Sequence, residues 1–286
     1  MKIEALRQQY HQQLCQEIIR VYRKQNESGY PNFADGSSKS SVAIASEIFK
    51  QLGCPENSER LSGQTVGGRF EIITNAFLQE AFQLLQHLRP GRWSYDTTQT
   101  DISSYYQYEH LAYLAEVVTE DRVLATALGG DYIVKPDIII GRYPVTEDEL
   151  NPDKQHPLVT RIAELTPLRD KNQTEQKLLL HASISCKWTI RSDRSQNTRT
   201  EALNLIRNRK GPLPHIVAVT AEPLPTRLAT LALGTGDMDC VYHIALPELQ
   251  EALVRVDNPD QLEMLEMMVS GRRLRDIADL PFDLAI

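Results

Sequence analysis

The chain has 286 residues, of which 41% are hydrophobic and 24% are charged, and its formal net charge is -7. This composition is typical of a soluble globular protein, and no apolar run approaches the length of a membrane span. The acidic charge argues mildly against a general nucleic-acid coat protein, although a site-specific enzyme needs a basic surface only in its cleft.

Helices are predicted to dominate the first 130 residues. Residues 1–24 are expected to form an amphipathic helix, and a polar, turn-rich loop leads into a second helix near 41–52. Apolar residues then recur at spacings of three and four from Val66 to Leu88, which predicts a long amphipathic helix. Residues 111–128 are also predicted to be helical, and the double glycine of "GGDYIVKPDIIIGRY" ends that helix before a strand.

Strands and helices alternate in the second half, after a polar connection over 146–176. The predicted elements are a strand at 177–190, a helix at 198–209, a strand at 214–221, a short helix at 226–232 and a strand at 239–245. This alternation predicts an α/β fold with a partly parallel sheet. No domain boundary is evident, so we expect one domain over 1–286. It would have a helical part to about 130, an α/β core over about 131–245 and a helical part over about 246–286.

The cysteines and the N-terminus predict a cytoplasmic protein. Cys15, Cys54, Cys186 and Cys240 lie far apart without a CxxC pair, so we expect reduced thiols. The polar N-terminal helix is unlike a secretory signal. The seven histidines show no spacing typical of a zinc site.

The stretch "SISCKWTI" at 183–190 alternates with a period of two, as a half-buried strand does. Ile184, Cys186, Trp188 and Ile190 would face one way, and Ser183, Ser185, Lys187 and Thr189 the other. Residues 191–211 follow with six basic and two acidic residues, so an acidic protein has a locally positive segment. Such a segment is either a solvated face or a surface for an anionic partner.

Three side chains suited to metal-dependent phosphodiester hydrolysis lie in this half. Asp137 follows Pro136 at the mouth of the strand at 138–140, Lys187 lies on the polar face of its strand, and Glu201 lies fourteen residues later. Carboxylates can hold Mg²⁺, which stabilises charge on a phosphate and lowers the pKa of a bound water. An ammonium beside them can orient that water and offset negative charge.

Each of these residues also has a purely structural interpretation. Asp137 would be a turn acid before a strand, and Lys187 a solvated strand lysine. Glu201 would complete a capping box in "TRTE", with Thr198 as the helix N-cap.

Taken together, "KPDIII" and "SISCK" resemble the PD-(D/E)xK nuclease pattern, with Ser185 where the second acid is expected. The chain is similar to the CCGG family of type II restriction endonucleases, in which a glutamate on the following helix takes the metal role of the strand acid. The resemblance implies a restriction-endonuclease-like α/β fold with a mixed central sheet flanked by helices. It implies Asp137, Glu201 and Glu71 as Mg²⁺ ligands, Lys187 as the group that positions water, and Ser185 as an adjunct. Glu71 is alternatively a solvated helix glutamate.

The sequence "RSDR" is suited to reading bases. Arginine bonds bidentately to guanine O6 and N7, and aspartate accepts from cytosine N4. Arg191, Asp193 and Arg194 can therefore read two G·C pairs, and two copies related by a dyad would read CCGG. The alternative is an exposed turn with Ser192 as a helix cap.

Three further residues are candidates for base contacts. Arg227 in "EPLPTRLA" can reach a guanine outside the CCGG core, and Gln64 in "SGQTVGG" can read the guanine amino group in the minor groove. Asp35 in "FADGSS" either contacts a base or caps a turn. The resemblance implies the duplex DNA site GCCGGC, cut after the first G to leave 5′ CCGG overhangs. It also implies a homotetramer of two back-to-back dimers and functional pairing with a cognate DNA methyltransferase.

The sequence is compatible with two other functions. One is a repair or recombination nuclease of the same fold, which would keep its sequence preference after Asp193→Ala. The other is a non-enzymatic DNA-binding regulator, which would show no Mg²⁺-dependent cleavage at all.

Overall fold

The computed structural model of the chain describes residues 2–23, 29–128, 133–169, 177–234 and 236–286, without the side chains of 127, 128 and 192–194. The first part of the chain is mainly helical, as predicted. Its elements are α1 (Lys2–Glu17), β1 (Val21–Tyr22), β2 (Tyr30–Pro31), α2 (Lys39–Leu52), α3 (Gly63–Leu84), β3 (Trp93–Asp96), α4 (His110–Glu120) and α5 (Arg122–Leu128). The predicted helix over 111–128 is divided because the Asp121 carboxylate accepts hydrogen bonds from the Val123 and Leu124 amides, at 2.8 and 3.0 Å, and so starts α5.

A six-stranded mixed sheet forms the centre of the protein, with the strand order β3-β4-β5-β6-β7-β8. The other elements are β4 (Ile138–Arg142), α6 (Glu147–Leu150), β5 (Leu179–Lys187), α7 (Ser192–Asn208), β6 (His215–Thr220), α8 (Pro225–Ala232), β7 (Cys240–His243), α9 (Leu246–Val256), α10 (Pro259–Ser270), β8 (Leu274–Asp276) and α11 (Leu280–Asp283). Strands β3 to β5 pair antiparallel, and β5 to β8 pair parallel. A mixed sheet with packed helices confirms the predicted fold class. The short strands β3 and β8 were not predicted from the sequence.

Helix α7 begins at Ser192, six residues before the predicted start at 198. Its buried face includes Ser195 and Thr198 as well as Ala202 and Leu205, at alternating spacings of three and four. Small hydroxyl side chains therefore continue the apolar face, which a search for hydrophobic periodicity overlooks. Because Thr198 lies inside the helix, the capping-box interpretation of Glu201 is wrong.

The interpretation of Ser192 as the cap of this helix is also wrong, because the N-cap of α7 is Arg191. Arg191 makes no side-chain cap hydrogen bond, and its side chain is exposed.

The expectation of four reduced cysteines is wrong for two of them. Cys15 and Cys54 form a disulfide with a Cα–Cα distance of 5.0 Å, although they are 39 residues apart in the chain. Gly53 ends α2 in the left-handed conformation, with φ of 66°, and so turns the chain back towards α1. Cys186 and Cys240 are free and buried.

Buried apolar residues from Tyr10 to Leu284 form one hydrophobic cluster in the described ranges. On this basis we propose that residues 1–286 fold as one domain. Within the same ranges, no helix combines the length and apolar character that crossing a membrane requires.

Candidate active site

Asp137 lies where β4 begins, beside the end of β5. The antiparallel register pairs Ile138 with Ile184, so the residue before Ile138 faces the residues that follow Ile184. The Asp137 Oδ2 atom accepts hydrogen bonds from the Cys186 amide at 2.7 Å and from Lys187 Nζ at 2.8 Å. The Ser185 hydroxyl lies farther away, at 3.5 Å from the same oxygen.

The predicted alternation along β5 is confirmed and continues past the end of the strand. Ile184, Cys186, Trp188 and Ile190 are buried, whereas Ser185, Lys187 and Thr189 are half-buried. Ser183 departs from the pattern because it lies deeper in the sheet and is 6% exposed. The polar side of the strand end therefore opens towards a shared site beside Asp137.

The Lys187–Asp137 ion pair is largely shielded from water, with 20% and 17% of the two side chains exposed. Burial acts to lower the pKa of Lys187, but the negative charges of Asp137 and Glu201 outweigh it and raise that pKa. Lys187 is therefore an ammonium across the physiological pH range, and its bond to the carboxylate is charge-assisted.

Two glutamates extend this site from neighbouring helices. Burial raises the pKa of Glu71 on α3 to about 7, with a further contribution from the charge of Asp137 and an opposing one from Lys187. Burial also raises the pKa of Glu201 on α7, again with Asp137 and Lys187 acting in opposite directions. Asp137 and Lys187 therefore act on both glutamates, although one glutamate lies on α3 and the other on α7.

The acidic oxygens are suited to a small, hard divalent cation. In the described part of the chain, no three acidic, histidine or cysteine side chains converge into a ready-made metal cluster. Such a cation does not need one, because it is usually held by one or two carboxylates together with water and substrate phosphates. The raised pKa values of Glu71 and Glu201 fit this role, since a cation would offset the repulsion that Asp137 exerts on them.

Glu201 also borders an open cavity of about 440 Å³ between α7 and the segment before β4. The lining includes Lys135 and, along one side of the helix, Asn197, Thr200 and Asn204. A charged ligand can therefore approach the carboxylate from the helix side.

A larger cleft of about 760 Å³ lies beyond the end of β5, and its lining includes Asp35, Arg191 and Arg227. The guanidinium of Arg227 forms an ion pair with Asp35. Hydrogen bonds from the hydroxyl and amide of Ser37, followed by the one from Arg227, lower the pKa of Asp35 to about 2. Asp35 thus both caps its turn and presents a charged acceptor beside an arginine, so the two interpretations of this residue are compatible.

The other predicted base contacts are less completely described. The side chains of Asp193 and Arg194 lie outside the described residues, although their backbone forms the first turn of α7. Gln64 is exposed in the first turn of α3 and does not line the cleft of Asp35 and Arg227. It precedes Glu71 by seven residues, or two helical turns, so both lie on one side of α3.

Comparison with known proteins identifies the family of this chain. A family model described as NgoMIV restriction enzyme matches residues 10–286. The chain belongs to this restriction enzyme family. It is 49% identical over 265 residues to the type II restriction enzyme NgoMIV of Neisseria gonorrhoeae. The aligned residues cover 91% of this chain and 92% of that enzyme. The chain is therefore a type II restriction endonuclease, and the predicted enzyme class is confirmed.

Sequence reasoning about this endonuclease overlooked Glu222. This glutamate is fully buried, and its carboxylate accepts hydrogen bonds from the backbone amides of Ile190 and Leu224. An acid directly after the apolar run "HIVAVTA" and before Pro223 is the signal that could have identified it, because buried acids need partners.

Proposed function

We propose that this restriction endonuclease hydrolyses duplex DNA at GCCGGC with Mg²⁺, cutting after the first G to leave 5′ CCGG overhangs. The observation that supports the chemistry best is the set of donors on Asp137, which includes Lys187 Nζ at 2.8 Å. Glu71 and Glu201 add carboxylates that respond to the same charges.

In this proposal Asp137, Glu201 and Glu71 hold the metal. Bound Mg²⁺ stabilises negative charge on the phosphate and lowers the pKa of water there. An ammonium has three N–H donors, and Lys187 uses one of them on Asp137, so two remain to orient the attacking water and a phosphate oxygen. The weaker 3.5 Å contact of Ser185 is consistent with an adjunct role.

We further propose that Arg191, Asp193 and Arg194 read the CCGG core. Arg227 and Asp35 would read the outer pair, because arginine suits guanine and an ionised aspartate suits the N4 amino group of its partner cytosine. Their ion pair supports this assignment, since it holds the donor and the acceptor side by side. Gln64, at the start of α3, would approach from the minor groove.

A palindromic site calls for a two-fold arrangement of reading surfaces. We therefore propose a dimer whose subunits are related by a two-fold axis. From the family resemblance we further propose that two of these dimers associate back to back as a homotetramer. An endonuclease of this kind would also cut the DNA of its own cell, so we propose a cognate DNA methyltransferase as its functional partner and the cytoplasm as its location.

The test is incubation of the protein with plasmid and Mg²⁺, followed by sequencing of every fragment end. Discrete ends at GCCGGC with 5′ CCGG overhangs are expected, and a sample with a chelator in place of Mg²⁺ should stay intact. Ragged ends would favour a repair or recombination nuclease. A plasmid that stays intact with Mg²⁺ would favour a non-enzymatic regulator.

A further inference from the structure

Glu222 connects the segments that lead into two helices of the recognition cleft. The parallel ladder between β5 and β6 ends with Lys187 opposite Thr220, and one further backbone bond joins the Ala221 amide to the Trp188 carbonyl at 3.2 Å. Beyond this point the two segments of the chain are no longer paired, since the one after β5 leads into α7 and the one after β6 leads into α8. The backbone alone no longer fixes their distance.

The Glu222 carboxylate bridges this gap. Its Oε2 atom accepts a hydrogen bond from the Ile190 amide at 2.9 Å, and its Oε1 atom accepts one from the Leu224 amide at 3.2 Å. Ile190 directly precedes Arg191, which is the N-cap of α7, and Leu224 is the N-cap of α8. One buried side chain therefore holds the start of both helices, neither of which has a capping side chain at its N-cap.

The same carboxylate also acts on Arg227. The Oε2 atom of Glu222 lies 4.0 Å from Nη1 of Arg227, while the other end of that guanidinium pairs with Asp35. Arg227 is thus held between a buried carboxylate and one at the edge of the cleft, which restricts the direction of its donors. The two carboxylates differ in access, because Glu222 is fully buried and Asp35 is not.

We propose that Glu222 is a positioning residue for sequence recognition: it sets the spacing between Arg191, which starts the reader of the CCGG core, and Arg227, which reads the outer pair. This inference rests on the proposed function. Glu222 itself is too deeply buried to touch DNA, so its effect passes through the two helix starts and the Arg227 guanidinium.

The test compares cleavage of the duplex sites GCCGGC and ACCGGT by the wild type, Glu222→Gln and Asp276→Asn. Glutamine has the shape of glutamate but only one acceptor oxygen, so one of the two amides loses its partner. Asp276 is the matched control, since it is a buried carboxylate that accepts from the Leu246 amide at the start of α9. Its described hydrogen bonds include none with Arg191 or Arg227.

For Glu222→Gln, the ratio of kcat/KM between GCCGGC and ACCGGT should fall roughly tenfold, because misaligned donors forfeit much of a bidentate base contact. Asp276→Asn should keep the wild-type ratio, even if it lowers stability. An unchanged ratio for Glu222→Gln would overturn the inference while leaving the proposed function intact. A wild type that cuts both sites equally would overturn the proposed outer-pair reading and the inference with it.

A variant that does not fold would leave no ratio to measure, so Glu222→Asp provides the second substitution. It keeps the negative charge beside Arg227 but is one methylene shorter and cannot reach both amides. The same fall in the ratio is expected, and the wild-type ratio in this variant would equally overturn the inference.

Discussion

Glu222→Gln should change how the stability of the protein depends on pH. Burial raises the pKa of Glu222 to about 7, against the opposing effects of the Ile190 and Leu224 amides and of Arg227, and Asp35 adds to the rise. The unfolded chain loses this proton at a much lower pH, near 4.5. Between these two pKa values the folded protein holds a proton that the unfolded chain has released, so the free energy of unfolding falls as the pH rises. The contribution of this group is fully present below pH 4.5 and has been lost above pH 7.

The magnitude follows from the distance between the two pKa values. Each pH unit between them corresponds to about 1.4 kcal/mol, so the wild type should lose roughly 2–3 kcal/mol from this one group between pH 5 and pH 8. Glutamine does not titrate, and Glu222→Gln should not show this loss. At pH 5 the variant should be less stable than the wild type by roughly 1–3 kcal/mol, because one buried amide has lost its acceptor. At pH 8 the two proteins should be nearly equal.

The assay is urea unfolding of both proteins at pH 5 and pH 8 and at one protein concentration, since oligomers gain stability by mass action. The quantity to compare is the difference in free energy of unfolding between variant and wild type at each pH. The contributions of all other titrating groups cancel in this difference. Glu263→Gln is the control, because its carboxylate is exposed on α10 and keeps its water in the folded state. A pH-independent difference for Glu222→Gln would refute the argument that burial dominates the surroundings of Glu222.

Three further predictions concern chemistry, recognition and the disulfide. Lys187→Ala should lower the single-turnover cleavage rate by at least about 100-fold. Ser185→Ala should lower it less than about tenfold, because the Ser185 hydroxyl makes only a 3.5 Å contact with Asp137. Equal losses in the two variants would contradict this ranking. Arg227→Ala should reduce the preference for the outer G·C pair by roughly 1–3 kcal/mol and leave the preference for the CCGG core unchanged. Cleavage of duplexes substituted either at the outer pair or within the core measures both preferences. A loss of preference confined to the core would show that the assignment of Arg227 is wrong. Reduction of the Cys15–Cys54 disulfide should lower the free energy of unfolding by about 4 kcal/mol, because the cross-link spans 39 residues; an unchanged urea midpoint after reduction would argue that no cross-link is present.

The strand that carries Lys187 and the meeting of Lys187 with Asp137 could be predicted from the sequence, although the strand ends at Lys187 and not at the predicted residue 190. Their signals are local, since the alternation from Ile184 to Ile190 sets which side chains share a face, and "KPD" marks a strand mouth. That Glu71 belongs to the same site followed only from the family resemblance, because its own helix pattern also fits a solvated glutamate.

Other features depend on contacts that no local pattern records. The early start of α7 rests on Ser195 and Thr198, which are polar in sequence but buried in the fold. The disulfide depends on where α1 and α2 end in space, and its two cysteines show no motif. Glu222 has a local signal, an acid directly after an apolar run, but the two amides that it binds, those of Ile190 and Leu224, leave no such mark in the sequence.

The central claim is that Asp137 organises a metal-dependent cleavage site beside a separate reading surface. Asp137→Asn tests it most directly, by single-turnover cleavage of a GCCGGC duplex with Mg²⁺ and by parallel measurement of binding to the same duplex at one stated salt concentration. We expect that the variant still prefers GCCGGC over ACCGGT in binding but cuts neither. Cleavage by Asp137→Asn at a rate close to that of the wild type would contradict the proposed role of Asp137.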